Sequence, residues 1–303
     1  MSPPSGVRSP TRQTHLSGPS VALDHRINAY RPDLASATLA AGVIAARYAD
    51  PVRLVGTAAS AVLHAAPDAA STAVSALLHG EAFDVIDYSG DWAWGSCVHD
   101  GYVGWVACSA LAAPAGIVTH RISAPAAPVF AAPDIKTAVG DTLYLGSLVS
   151  GAALDDFVAL GGGGFVHRRH VALVDHHATD AVAVALPFVG TPYVWGGRTR
   201  AGIDCSGLVQ TALRATGIDC PRDSDQQLRR FGAEIAAAAL QRGDLVFFPG
   251  HVGMMVDTAQ LLHANAFWMT TLVEPLAAVV ARLTPQHPVA ITGIGRPETL
   301  EVR

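Results

Sequence analysis

The sequence predicts an α+β protein in which two small β-rich domains precede a larger mixed domain. The β-rich part is indicated by short apolar runs broken by turn residues, arranged in two copies roughly 62–67 residues apart. From about His177 the pattern changes to one amphipathic helix followed by three strand-like runs, an order typical of α+β domains. The length of 303 residues is enough for about two or three domains.

The charge balance argues against several kinds of partner. Lys and Arg number 20 against 25 Asp and Glu, which gives a formal net charge of -5, and no run of five basic residues occurs. Such a chain is a poor ligand for nucleic acid or for an anionic membrane surface. The longest uncharged stretch, Val103 to Thr119, contains Gly104 and Pro114 and is too short to predict a spanning helix. We therefore expect neither a nucleic-acid nor a membrane partner.

The first 20 residues contain only Met1, Val7 and Leu16 as sizeable apolar side chains, so the apolar core of a secretory signal is not evident. We therefore expect a cytoplasmic protein.

Residues 1–48 are predicted to lie outside the packed domains. Residues 1–26 are rich in Ser, Pro, Thr and Gly, which predicts a mobile tail. Arg31 to Ile44 predicts a short helix, because Pro32-Asp33 suits a first helical turn.

The two β-rich domains are predicted from an internal repeat. The run Val62 to Asp68 returns as Val129 to Asp134. This period is too long for a solenoid repeat and fits two tandem small domains. We assign them to residues 49–113 and 114–176.

The first copy contains three strand-like runs, Asp84 to Tyr88, Trp92 to Gly95 and Tyr102 to Val106. Short strands at this spacing predict a small barrel. Asp100-Gly101 predicts a two-residue hairpin turn between the last two strands.

Four cysteines do not make a disulfide scaffold at this length. In the predicted hairpin the sulfurs of Cys97 and Cys108 would lie roughly 13 Å apart. A disulfide requires Cα atoms within about 7 Å. Both residues are therefore expected to be buried small hydrophobic side chains.

A candidate nucleophile lies at the start of the predicted helix, which runs from Cys205 to Thr216 and ends at Gly217. Asp204 is a candidate N-cap and places Cys205 at the first helical position. A thiol there feels the positive end of the helix dipole, so we expect the pKa of Cys205 to be lowered.

A nucleophilic cysteine requires a base, and the base requires an orienting group. His251 follows the turn Pro249-Gly250 and begins a strand, and His263 lies on the next strand. His263 could hold one ring nitrogen of His251. A two-residue turn would not place the two rings opposite each other, so their contact requires a bulge or a longer loop.

Three blocks in this order resemble the NlpC/P60 cysteine peptidases, which have a papain-like core. They are Pro-Tyr-Val-Trp-Gly-Gly with Asp-Cys-Ser-Gly-Leu-Val, then Arg-Gly-Asp-Leu-Val-Phe-Phe with Gly-His-Val-Gly-Met, then Leu-His-Ala-Asn. The resemblance covers about residues 180–300, and we assign residues 177–303 to this domain. Leu-His-Gly-Glu, Gly-Asp-Trp-Ala-Trp and Gly-Tyr-Val-Gly-Trp-Val give the first β-rich copy a resemblance to bacterial SH3 domains. The second copy resembles a degenerate SH3-like barrel.

The resemblance implies a set of catalytic roles. Cys205 would be the nucleophile, His251 the general base and acid, and His263 the orienting residue. No metal or organic cofactor is implied.

The resemblance also implies substrate-binding residues. Tyr193 would lie beside the nucleophile, Asp204 and Ser206 would line the pocket for the amino end of the substrate, and Ser224 would belong to a substrate loop. Glu81 and Tyr102 of the first SH3-like domain would bind the free amine of an N-terminal L-alanine, since an ammonium that leaves water favours a carboxylate and an aromatic face.

The expected function is that of a γ-D-glutamyl-L-diamino acid endopeptidase that cleaves peptidoglycan stem peptides, with soluble muropeptides of cell-wall recycling as substrates. Three alternatives remain open: a secreted hydrolase of intact peptidoglycan, a non-catalytic wall-binding protein, and a papain-fold acyltransferase.

Overall fold

The structure is a computed structural model that describes residues 23–297. Most of the predicted tail, residues 1–22, lies outside the described residues. Strands β1 (Ala35–Ser36) and β2 (Tyr48–Ala49) pair in parallel, and only one turn of 3-10 helix lies between them. The predicted helix over residues 31–44 is therefore wrong. Leu34 is buried against Trp94 and Trp105, so tertiary packing holds this segment extended.

The first β-rich unit is one seven-stranded antiparallel sheet with the order β5-β4-β8-β7-β6-β3-β9. Its strands are β3 (Val52–Gly56), β4 (Ser60–His64), β5 (Ala73–Leu78), β6 (Ala82–Ser89), β7 (Trp92–Cys97), β8 (Val103–Ala107) and β9 (Leu111–Ala112). Leu63, Leu77, Phe83 and Val106 form its core. The three strands predicted for this unit are confirmed as β6, β7 and β8.

The β7–β8 hairpin has a wider loop than predicted. Gly95 pairs with Gly104, and the amide of Cys97 donates to the carbonyl of Tyr102, which closes a four-residue loop. The two-residue turn is therefore wrong. The carboxylate of Asp100 accepts the amide of Tyr102 at 2.9 Å and stabilises the wider loop. Cys97 is a buried free thiol as predicted, whereas Cys108 is a free thiol that is only half-buried.

The second β-rich unit has a five-stranded sheet, β12-β11-β16-β15-β14, and a three-stranded sheet, β13-β10-β17. Its strands are β10 (His120–Ile122), β11 (Ala126–Phe130), β12 (Val139–Tyr144), β13 (Leu148–Val149), β14 (Gly151–Leu154), β15 (Phe157–Leu160), β16 (Phe165–His167) and β17 (Val171–Leu173). The β4–β5 and β11–β12 hairpins both contain a register shift, which is a structural counterpart of the sequence repeat.

The C-terminal unit combines four helices with a six-stranded antiparallel sheet of order β20-β25-β21-β22-β23-β24. Its elements are α1 (Ala181–Ala185), β18 (Arg198–Thr199), β19 (Gly202–Ile203), α2 (Cys205–Ala215), α3 (Ser224–Phe231), β20 (Gly232–Ala233), β21 (Leu245–Phe248), β22 (His251–Met255), β23 (Gln260–Asn265), β24 (Thr270–Pro275), α4 (Leu276–Leu283) and β25 (Gly293–Gly295). The predicted helix and the three predicted strands are confirmed as α2, β21, β22 and β23.

The two faces of this sheet bury different cores, because side chains alternate along a strand. On β21, Leu245 and Phe247 pack with Leu208 of α2. Val246 and Phe248 point to the other face and pack near α4. The sheet is therefore covered by α2 on one face and by α4 on the other.

The helices of the described residues are short. Across residues 23–297, none of them is long and apolar enough to cross a membrane.

Candidate active site

Helix α2 begins at a tightly packed N-terminus. Asp204 caps the helix, since its side chain accepts the amide of Gly207 at 2.7 Å, as predicted for an N-cap. A Cβ atom on Gly207 would lie 2.3 Å from the carbonyl oxygen of Gly197. Glycine is therefore required after Cys205-Ser206, because the preceding loop lies directly against the first helical turn.

Cys205 is buried at this helix start, with 5% of its surface exposed. It packs in the core with Val252 of β22. Burial and the carboxylate of Asp204 raise the pKa of Cys205 to about 12, although the amides of Val252 and Ser206 oppose this shift. The predicted lowering of this pKa is therefore wrong, because desolvation outweighs the helix dipole.

His251 and His263 are in contact: His251 Nε2 lies 2.8 Å from His263 Nδ1. Met254 pairs with Leu262, and the amide of Val256 donates to the carbonyl of Gln260. This pairing leaves residues 257–259 as a three-residue loop between the two strands, β22 and β23. In this register the two histidines lie on one face as diagonal neighbours, within reach of each other. The requirement for a longer loop is thus met without a bulge.

The imidazole pair is largely shielded from solvent, with His263 buried and His251 half-buried. His263 is fully buried, and burial lowers the pKa of His251 to about 3, with a further contribution from His263. Burial also lowers the pKa of His263, although Glu274 opposes this shift. The resting pair is therefore neutral.

The second ring nitrogen of His263 faces a carboxylate that sequence reasoning missed. His263 Nε2 lies 2.9 Å from Oε1 of Glu274 on β24. Arg282 of α4 donates to both oxygens of Glu274, at 2.5 Å and 3.1 Å. Burial opposes ionisation of Glu274, but the hydrogen bonds from Arg282 and His263 outweigh it and hold its pKa below the usual value. The row of contacts therefore runs from His251 to Arg282.

Asp204 does not offer a free carboxylate to a substrate. Arg222, which is 1% exposed, donates to both of its oxygens at 2.9 Å and 2.6 Å. The amides of Gly207 and Gly196 bind it as well. Ser206 is also occupied, because its hydroxyl accepts from Arg222 at 2.9 Å. The side chains of Asp204 and Ser206 are therefore already bound within the protein, and their role at the amino end of the substrate stays a prediction.

The first β-rich unit contacts the C-terminal unit at the segment 221–223. Arg222 Nε donates to the hydroxyl of Ser75 at 3.1 Å. Tyr102 donates its hydroxyl to Asp223 at 3.0 Å, and burial raises the pKa of Tyr102. Arg26, from the segment before β1, also donates to Asp223 at 2.8 Å. Tyr102 therefore lies at this contact with Asp223 as its neighbouring carboxylate, and its role in binding a substrate amine stays a prediction.

Glu81 lies in a closed ion pair and not in an open pocket. It is 3% exposed, and both of its oxygens accept from Arg198 of β18, at 2.9 Å and 3.0 Å. The amide of Leu78 also donates to it. Burial opposes ionisation, but Arg198, His99 and Arg214 outweigh it and lower the pKa of Glu81 to about 2. Arg198 already neutralises Glu81, and its role as a ligand for a substrate amine stays a prediction.

The remaining predicted residues are Tyr193 and Ser224. Tyr193 is half-buried beside Cys205, and burial together with Cys205 and Asp204 raises its pKa. Ser224 is the first residue of α3 and is partly exposed. Its hydroxyl makes no hydrogen bond to another residue within 23–297.

Sequence reasoning missed Arg198, Arg222, Asp223 and Glu274. Arg222 and Asp223 directly precede the predicted Ser224, so their position in that block was an available signal. No sequence signal pointed to Arg198 or Glu274, since neither belongs to the blocks that carry the NlpC/P60 resemblance.

Comparisons with known proteins agree with this arrangement. The profile of the NlpC/P60 family matches residues 190–273, and the profile described as a bacterial dipeptidyl-peptidase SH3 domain matches residues 63–111. A crystal structure of an NlpC/P60 family protein from Bacillus cereus ATCC 10987 has a TM-score of 0.69 and 21% sequence identity, and covers 81% of this chain and 99% of that chain. This likeness supports the fold.

Two curated relatives are informative. Dipeptidyl-peptidase 6 of Lysinibacillus sphaericus is 32% identical over 48% of this chain and 60% of its own length. The gamma-D-glutamyl-L-lysine dipeptidyl-peptidase of Bacillus cereus is 34% identical over 33% of this chain and 32% of its own length. The chain thus spans only part of these relatives. Both profile matches agree with the sequence blocks, and the chain carries an NlpC/P60 domain preceded by a bacterial SH3 domain.

Proposed function

We propose that this protein is a cysteine peptidase that hydrolyses the bond between γ-D-glutamate and the diamino acid of peptidoglycan stem peptides. The observation that carries the proposal is the 2.8 Å contact of His263 on β23 with His251 on β22, the strand that packs against Cys205. The names of the relatives support the substrate class, since one is a gamma-D-glutamyl-L-lysine dipeptidyl-peptidase.

The chemistry would begin from a neutral thiol and a neutral imidazole, given the raised pKa of Cys205 and the lowered pKa of His251. His251 takes the thiol proton as the sulfur attacks the γ-glutamyl carbonyl. His251 then gives this proton to the leaving amine as the carbon–nitrogen bond breaks. A water that loses its proton to His251 attacks the thioester, and the thiol returns as the acid is released.

The oxyanion of each tetrahedral intermediate requires donors. The backbone amide of Cys205 at the start of α2 and the hydroxyl of Tyr193 are our candidates. The raised pKa of Tyr193 supports its role as a donor, because the phenol keeps its proton at neutral pH.

The preferred substrate in this proposal is a free muropeptide with an N-terminal L-alanine, met during cell-wall recycling in the cytoplasm. With Glu81 paired to Arg198, the carboxylate that supports recognition of an ammonium is Asp223, next to the Tyr102 hydroxyl. Arg26 already supplies a cation to Asp223, so a substrate ammonium has to compete with this guanidinium. Ser224, the next residue, completes the proposed substrate loop.

The proposal includes the finer architecture. In this architecture the first SH3-like barrel spans residues 49–113, and the second unit, within 114–176, is a second SH3-like barrel. A papain-like domain, residues 177–303, follows them in the chain. The matching register shifts in the β4–β5 and β11–β12 hairpins support the second barrel. The packing of α2 on one face of an antiparallel sheet supports the papain-like arrangement.

The test is mass spectrometry of products from free L-Ala-γ-D-Glu-diaminopimelate, its L-lysine counterpart and intact sacculi. Release of L-Ala-γ-D-Glu from the free peptides by the wild type, but not by Cys205→Ala, is expected. Cleavage of sacculi with little action on free peptides would favour a secreted wall hydrolase. Binding to sacculi without any cleavage would favour a wall-binding protein, and transfer of the acyl group to an added amine would favour an acyltransferase. Cell fractionation tests the cytoplasmic location.

A further inference from the structure

Beyond the three residues that the family resemblance implies, the row of contacts continues to Glu274. We propose that Glu274 is a positioning residue that fixes the protonated nitrogen of His263 and, through it, that of His251. This inference deepens the proposed function and rests on it for its catalytic meaning, although the hydrogen-bond geometry stands by itself.

The first step follows from the chemistry of an ionised carboxylate, which can only accept hydrogen bonds. Arg282 donates to both oxygens of Glu274 and keeps this side chain ionised and in place. The 2.9 Å contact between Glu274 Oε1 and His263 Nε2 therefore requires a proton on Nε2.

The second step follows from the neutral imidazole, in which one nitrogen donates and the other accepts. With its proton on Nε2, His263 has an acceptor at Nδ1. His251 Nε2, 2.8 Å away, must then be the donor. The remaining nitrogen of His251, Nδ1, is left without a proton and is the base that can take the proton of Cys205.

A competing arrangement lies beside this one. The amide of Phe267 donates to Oδ1 of Asn265 at 2.6 Å, which directs Nδ2 of Asn265 toward His263 Nε2 at 3.4 Å. A hydrogen bond from this amide would require Nε2 without a proton. Both imidazoles would then carry their proton on Nδ1 and not on Nε2. A protonated Nδ1 of His251 cannot act as a base.

Glu274 decides between the two arrangements. Its contact with His263 is the shorter, 2.9 Å against 3.4 Å, and it carries a charge, which makes a hydrogen bond roughly twice as strong. His263 is fully buried, so water cannot take the place of Glu274 as the acceptor for the proton on Nε2. The negative charge of Glu274 favours the imidazolium that His251 becomes during the reaction, which partly offsets the opposing charge of Arg282.

The variants that test this role are Glu274→Leu, which removes the acceptor, and Glu274→Gln, which keeps an acceptor oxygen but removes the charge. Glu234→Gln is the matched control, since Glu234 is an exposed carboxylate in the same unit. Circular dichroism and thermal melting identify any variant that fails to fold, in which case the conservative Gln variant carries the test.

The first readout is the ¹⁵N NMR spectrum of protein labelled at histidine, which reports which ring nitrogen carries the proton. His251→Gln and His263→Gln assign the signals among the 13 histidines. We expect protons on Nε2 of both rings in the wild type and in Glu234→Gln, and a proton on Nδ1 of both rings in Glu274→Leu. Unchanged proton positions in a folded Glu274→Leu would overturn the proposal.

The second readout is the rate at which iodoacetamide alkylates Cys205 at pH 7, followed by peptide mass spectrometry. We expect about a tenfold lower rate in Glu274→Leu and a smaller loss in Glu274→Gln, because transfer of the thiol proton contributes roughly 10²–10⁴-fold and only part of it depends on positioning. Rates equal to those of Glu234→Gln would overturn the proposal.

Neither readout needs a substrate, so the two hypotheses can fail separately. A wild type that shows the expected proton positions but cleaves no stem peptide would contradict the proposed function alone. With an active wild type, a lower kcat for Glu274→Leu at unchanged KM is expected, and equal kcat values would contradict the role of Glu274 alone.

Discussion

Two polar networks lie near the start of α2, and they differ in how completely their acidic and basic groups are hydrogen-bonded. In the first, the guanidiniums of Arg198 and Arg222 bind both oxygens of Glu81 and of Asp204. In the second, Arg282 binds Glu274, which contacts His263, and His263 in turn contacts His251. The Nδ1 nitrogen of His251 remains available to take a proton. We call the first network closed because all of its carboxylate oxygens are bound, although Nε of Arg198 has no hydrogen-bond partner among residues 23–297. The second network has an open end.

This difference shows that a buried charged residue does not by itself indicate a binding or catalytic role, because its partners decide whether it can interact with a ligand. A carboxylate saturated by an arginine joins structural units and has little capacity to bind a ligand. A network that ends in an unpartnered imidazole nitrogen can exchange a proton. Five measurements test this difference between the two networks.

The largest effect is expected at the open end. Cys205→Ser should abolish turnover and leave the fold intact, because the hydroxyl pKa is far above that of a thiol and the neutral imidazole cannot ionise it. Hydrolysis by mass spectrometry and thermal melting check this. Retained activity above about a hundredth of the wild type would rule out Cys205 as the nucleophile.

The two histidines should rank by their distance from the reacting proton. His251→Ala should nearly eliminate kcat, whereas His263→Ala should lower it less, because His263 orients and does not transfer the proton. Steady-state kinetics on the free tripeptide provide the measurement. The reverse ranking would mean that the two roles are exchanged.

Breaking the closed network should affect stability. Arg198→Met leaves Glu81 buried without its main partner and should reduce the free energy of unfolding by roughly 3–5 kcal/mol. Urea denaturation measures this, with the exposed Arg229→Met as the control. An equal loss in both variants would contradict a structural role for the buried pair.

The closed network should also respond to acid. The pKa of Glu81 is about 2 in the folded protein against about 4.3 in an unfolded chain. The folded state therefore binds this proton more weakly, and the stabilisation is present above about pH 4.3 and lost as the pH falls toward 2. The stability gap between the wild type and Glu81→Gln should narrow over this range in urea titrations. A gap independent of pH would mean that Glu81 does not titrate in this way.

The smallest effect is expected on substrate selectivity. Since Arg198 already pairs with Glu81, Glu81→Gln should leave the ratio of kcat/KM for free and N-acetylated tripeptide unchanged. The same ratio for Asp223→Asn should fall, because the carboxylate next to Tyr102 is lost. A Glu81→Gln variant that loses discrimination would restore Glu81 as the amine ligand.

Local features were predictable where one segment contained the whole signal. The helix at Cys205, its Asp204 cap and the strands β21 to β23 follow from periodicity and from turn residues. The loop between β7 and β8 was misjudged because Asp-Gly is compatible with both a two-residue and a four-residue turn, and the hydrogen bond between Asp100 and Tyr102 favours the wider one.

The sequence is enough to predict the helix that carries Cys205 and the two strands that carry His251 and His263, because these elements depend on neighbouring residues. Which charged groups are bound by partners depends instead on contacts between distant segments. Arg198 and Glu81 are 117 positions apart, and Glu274 reaches His263 through the pairing of β23 with β24. Burial likewise decided the pKa of Cys205: the helix start favours a thiolate, but desolvation by the surrounding core outweighs this preference, and the extent of desolvation depends on how distant segments pack around the sulfur.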